Sequence, residues 1–168
     1  MLDAGLEEYE AVLRGRAVLL FDGVCVMCNW TVRVLLRNEP SGRLVFTPIE
    51  GELGRALLAR HPEIVTTLGG GRESDGSVVL LLNALTAEER ALTRSDAGIA
   101  VMRMLRAPWP LAGGLLRLVP RVVRDFGYRM VARFRYRVFG RLARCPVPGL
   151  GEQERIIGVE ATGAYLDG

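Results

Sequence analysis

Residues 17 to 28 constrain this chain more than any other stretch. Ala17-Val18-Leu19-Leu20-Phe21 is an unbroken apolar run, and Asp22-Gly23 ends it. A short run stopped by Asp-Gly reads as a buried strand followed by a tight turn. Cys25 and Cys28 follow at once, and from Cys28 to Asn38 the spacing is helical. Cys28, Val32 and Leu35 share one face, and Asn29, Arg33 and Arg37 share a polar one. A thiol therefore arrives where a strand hands over to a helix. The first helical N–H groups lack partners, and that end of the dipole is positive. Both favour a thiolate over a thiol at Cys25.

The rest of the chain supplies the elements around this unit. Leu44 to Ile49 reads as a second strand, with Pro48 at its end. Leu53 to His61 reads as a short helix, stopped by Pro62. Gly69-Gly70-Gly71 to Asp75-Gly76 reads as a loop; without a Lys-Ser/Thr ending it is not a phosphate loop. Ser77 to Leu82 has the continuous apolar character of a central strand. Glu89 to Thr93 suits its hairpin partner, and Ser95-Asp96 suits the N-cap of a helix carrying Ile99, Met102 and Leu105. After Pro108-Trp109-Pro110 only helical patterns follow, over Leu111 to Val119 and over Arg121 to Phe139. The second carries Val123, Phe126, Met130, Phe134 and Val138 at spacings of three and four. Residues 1 to 15 read as a short helix or lead-in.

The expected fold is α/β, a thioredoxin-like β-α-β-α-β-β-α core with a C-terminal helical extension. At 168 residues the chain fits a single domain. The core spans residues 16–107, the Arg-rich extension 108–145 and an irregular tail 146–168.

Composition narrows the function. Three Cys are too few for a secreted disulfide scaffold, and one His excludes a metal site built on several. All 22 basic residues are Arg. Eleven of them lie between residues 103 and 144, beside a single acid, Asp125, so the remainder of the chain is acidic. That block can fold back on the acidic part or meet an anionic partner. The acidic N-terminus does not resemble a signal peptide, and no apolar stretch approaches a membrane span. A cytoplasmic location is expected.

Three functional readings compete. In the first, Cys25 is the exposed nucleophile and Cys28 the sheltered resolving thiol of a thiol-disulfide oxidoreductase. Asp22 then modulates the pair or merely caps its turn, and no bound cofactor or metal is needed. Partners are a protein or small-molecule disulfide and a reductant. Nucleic acid is not expected, whereas contact with a membrane surface is compatible with the Arg block. In the second, the chain is a non-enzymatic module whose Arg133, Arg135 and Arg137 surface meets an acidic partner. In the third, Cys25, Cys28, Cys145 and His61 bind zinc. Cys145 and His61 otherwise read as a small packed residue and a helix-end residue, and Trp109 as a packing anchor.

Asp22, Cys25 and Cys28 form an Asp-x-x-Cys-x-x-Cys motif that resembles the DCC family of thiol-disulfide oxidoreductases. Val18 to Asp22, Ser77 to Leu82 and Ser95-Asp96-Ala97 match in order. So do Arg133-x-Arg135-Tyr136-Arg137-x-Phe139-Gly140 and Cys145. The resemblance covers about residues 16 to 148 and implies a thioredoxin-like fold and a redox role. Thioredoxins place a cis-proline before the third strand. Asp75-Gly76-Ser77 stands there instead, which implies a different capture of substrate.

Overall fold

The structure is a computed structural model and describes residues 4–67, 78–146, 148–149 and 151–159. Four strands form one sheet: β1 (Ala17–Phe21), β2 (Leu44–Pro48), β3 (Val79–Leu82) and β4 (Arg90–Thr93), in the order β2-β1-β3-β4. β1 runs parallel to β2 and antiparallel to β3, and β3 and β4 form an antiparallel hairpin. The parallel pair needs a crossover, and α3 (Val26–Asn38) supplies it. This is a thioredoxin-like α/β core followed by C-terminal helices.

The unbroken apolar runs are explained by helices on both faces of the sheet. Val18, Leu20, Val45, Val79 and Leu81 point to one side, against Leu53, Ala56 and Leu57 of α4 (Glu52–Ala59) and Leu13 of α2 (Glu10–Leu13). Leu19, Phe21, Leu44, Phe46 and Leu80 point to the other. There they meet Cys28, Val32 and Leu35 of α3, and Ala97 and Val101 of α6 (Arg94–Met102). Gly54 in α4 is required by closeness: a Cβ there would come within 2.1 Å of the Pro48 carbonyl oxygen. Ahead of the sheet lies α1 (Ala4–Glu7).

Several expectations need adjustment. Pro62 ends one helix and opens another, α5 (Pro62–Thr67), because a proline at the first helical position loses no hydrogen bond. Ser95 and Asp96 do not cap α6. Its N-cap is Thr93, without a side-chain cap. The Ser95 hydroxyl instead donates to Asp125, and Asp96 pairs with Arg121 and Arg124, each at 3.2 Å. Both residues are spent on holding α8 (Arg121–Phe139). α7 (Trp109–Leu118) precedes it. Trp109 is 37% exposed, so it anchors less than a packing residue would.

In the tail, Arg155 to Ile157 lie along β2. Phe46 donates its N–H to Arg155 and accepts one from Ile157, at 2.7 and 2.9 Å. The Arg155 guanidinium donates to the buried Glu39 carboxylate and to the Leu44 carbonyl, the latter at 2.9 Å. This segment covers the outer edge of the sheet. The Gly69 to Gly71 loop and Asp75-Gly76-Ser77 lie outside the described residues.

Candidate active site around Cys25 and Cys28

β1 ends at Phe21, and the chain turns through Asp22, Gly23 and Val24 into α3. Asp22 makes that turn: its Oδ1 accepts the Val24 N–H at 3.1 Å, and its carbonyl accepts the Cys25 N–H at 3.3 Å. Cys25 is the N-cap of α3, in an extended conformation that side-chain caps use. Its sulfur takes the place of the usual oxygen, accepting the Cys28 N–H at 3.3 Å. The Asn29 amide ties the turn to the helix by donating to the Gly23 and Cys25 carbonyls at 2.6 and 3.0 Å.

The two thiols differ in surroundings, though not as expected. Cys25 is fully covered, at 0% exposure, and Cys28 is 7% exposed. The expectation of an exposed Cys25 is therefore corrected. The cover comes from the far end of the chain. Arg141 forms a β-bridge with Cys25, and Leu142 donates its N–H to Val24 at 2.7 Å. Cys28 borders an apolar cavity of about 310 Å³ between α3, α6, α7 and α8. Met27, Trp30, Trp109, Tyr128 and Arg135 share its wall. Burial, then contact with Cys25, pushes the Cys28 thiol far above its ordinary value, and the Arg135 charge opposes this. Cys28 is held as a thiol.

Asp22 is anchored across the molecule. Its Oδ2 accepts from the Arg135 guanidinium at 2.5 Å and from the Tyr136 hydroxyl. Arg135 also donates to the Tyr136 hydroxyl at 2.9 Å and lies 4.5 Å from the centroid of that ring. Burial and the bond to Asp22 push the Tyr136 hydroxyl up to about 12. Arg133, Arg135 and Arg137 thus do not act as one cluster. Residues two apart on a helix point to opposite sides, so Arg135 is buried while Arg133 and Arg137 are exposed.

Two residues outside the sequence reading belong here. Glu50 accepts the Gly23 N–H at 3.0 Å, and burial raises its carboxyl above the ordinary value. Tyr128 accepts the Val78 N–H on its hydroxyl oxygen at 2.8 Å. The signal for Glu50 is the parallel register Phe21↔Pro48, which brings the residues after both strands together. Cys145 packs against Gly23, so closely that a Cβ on Gly23 would stand 2.9 Å from its sulfur. Burial, with Glu50 and Asp22 nearby, pushes the Cys145 thiol up to about 11.

His61 lies elsewhere. Its ring nitrogens contact Glu63 at 2.9 Å and Glu89 at 3.0 Å, at the end of α4. Among the described residues no group of three or more His, Cys, Asp or Glu could hold a metal ion. The Cys25, Cys28, Cys145 and His61 set is not brought together as a zinc site.

A thioredoxin-like core with a Cys-x-x-Cys pair capping the helix after β1 defines a class of dithiol proteins. The chain belongs to the DCC1-like thiol-disulfide oxidoreductase family, whose model matches residues 19–141. It is 34% identical over 140 residues to the uncharacterized protein YuxK of Bacillus subtilis, covering 83% of this chain and 93% of that one. It is also 34% identical over 130 residues to a chloroplastic DCC family protein of Arabidopsis thaliana, covering 77% of this chain and 69% of that one. No solved structure matches. No helix among the described residues is long and apolar enough to cross a membrane.

Proposed function

We propose that this protein exchanges a dithiol for a disulfide, with Cys25 attacking and Cys28 resolving. The asymmetry of the pair carries the reading: Cys25 receives an N–H on its sulfur at the helix N-terminus, while Cys28 is kept protonated. The Cys25 thiolate attacks one sulfur of a substrate disulfide and releases the other as a thiolate. Cys28 then gives up its proton and attacks Cys25, releasing the second substrate thiol. Two electrons pass to the substrate, whose two released thiols take one proton from Cys28 and one from solvent, and a reductant restores the dithiol. Asp22 acts as a positioning residue, because its carboxylate is occupied by the turn, Arg135 and Tyr136. The apolar cavity beside Cys28 suits a disulfide with an apolar flank. A reducing compartment such as the cytoplasm suits a working dithiol.

Reduction of insulin or glutathione disulfide tests this. Cys25→Ser is expected to abolish turnover, and Cys28→Ser to accumulate a mixed disulfide at Cys25 visible by mass spectrometry. Equal rates for wild type and Cys25→Ser would defeat the proposal.

A further inference from the structure

An apolar stripe on a helix of a globular protein ordinarily faces the core. α8 is mounted the other way round. Arg124, Asp125, Tyr128 and Arg135 face the body of the protein, where they meet Asp96, Ser95, Val78 and Asp22. Val123, Phe126, Met130, Phe134 and Val138 face outward and are between 40% and 69% exposed. Beside them Arg129, Arg133 and Arg137 recur at every fourth position, forming a parallel exposed row. α7 repeats the arrangement with exposed Leu111, Leu115 and Leu118, and carries Arg117 in its last turn. Of the fourteen large hydrophobic residues exposed among the described residues, all but Trp30 lie on α7 and α8. The single acid of these two helices, Asp125, is turned inward to Ser95 and Arg121.

We propose that α7 and α8 form a docking surface for an anionic lipid bilayer. An apolar row enters the boundary between headgroups and acyl chains, while the adjoining guanidinium groups meet lipid phosphates. Charge argues against a second copy as the occupant. Two-fold pairing through this face sets the Arg129, Arg133 and Arg137 row against its own image. Nucleic acid would answer the Arg row and leave the apolar row in water. The helices lie on the bilayer, since neither is long and apolar enough to cross it.

The experiment is flotation of the full chain with vesicles of phosphatidylcholine, with and without phosphatidylglycerol, at low and high salt. Binding to the anionic vesicles is expected to be at least about tenfold tighter than to the neutral ones. Phe126→Ser with Met130→Ser should lose it. Arg129→Gln, Arg133→Gln and Arg137→Gln together should weaken it about tenfold or more and remove its salt dependence. These positions are exposed, and circular dichroism checks that each variant is folded. No flotation of the wild type with anionic vesicles overturns the proposal. So does equal binding to both vesicle types, or a dimer in light scattering that Phe126→Ser dissociates. Insulin reduction is a separate readout that these variants should leave unchanged.

Discussion

Arg135 reaches across the molecule to Asp22, and both side chains are buried. A buried ion pair adds little over a well-packed apolar pair, but losing one member leaves an uncompensated charge. Arg135→Met is therefore expected to cost about 3–5 kcal/mol, read from the urea midpoint, with Asp22→Asn added in the same chain recovering part of the loss. The same substitution removes the cation that draws the Cys28 thiol down, so the mixed disulfide at Cys25 should persist longer. At this scale the sequence was informative about kind and silent about partners. Asp22, Cys25 and Cys28 are legible from strand, turn and helix signals within seven consecutive positions. Arg135 was visible as one of three alternating arginines and as part of the family's C-terminal pattern, not as the partner of Asp22. Its burial depends on which side of α8 faces the sheet, and local spacing does not determine that.

The elements themselves follow from their residues with few surprises. Parallel pairing of β1 and β2, the central place of β3 and the limits of α8 all match hydrophobic period and turn chemistry. The orientation of α8 does not follow, because its stripe of Val123, Phe126, Met130, Phe134 and Val138 points outward. Polar contacts decide it: Ser95 and Asp96, which read as a cap, are the hooks. The short stretch after α8 matters as an element too, since Arg141 and Leu142 cover Cys25. Leu142→Pro removes the N–H donated to Val24 and should loosen this cover. Alkylation of Cys25 by iodoacetamide, followed by peptide mass spectrometry, is expected to speed up several-fold. An unchanged rate would mean that substrate reaches Cys25 by another route.

Across the whole molecule, two kinds of attachment coexist. The sheet is held by apolar packing on both faces, whereas α8 is held largely by ion pairs and hydrogen bonds. Burial acts to raise the Asp125 carboxyl, but the bonds to Ser95 and the charge of Arg121 outweigh it and hold the group below its ordinary value of 3.8. A depressed carboxylate contributes stability that is fully present above the ordinary value and is lost as pH falls through the depressed one. Acidification should therefore release α8 before the sheet. Hydrogen exchange is expected to quicken over residues 121–139 while residues 17–21 stay protected. Simultaneous loss of protection in both would show that the helix and sheet form one cooperative unit.

The cover over Cys25 also has a consequence for the order in which the protein is made. The motif is synthesised more than a hundred residues before Arg141 and Leu142 are joined to the chain. N-terminal elements begin to organise first during synthesis. The nascent chain accordingly passes through a period in which Cys25 lacks its cover, and only the segment that follows α8 closes it.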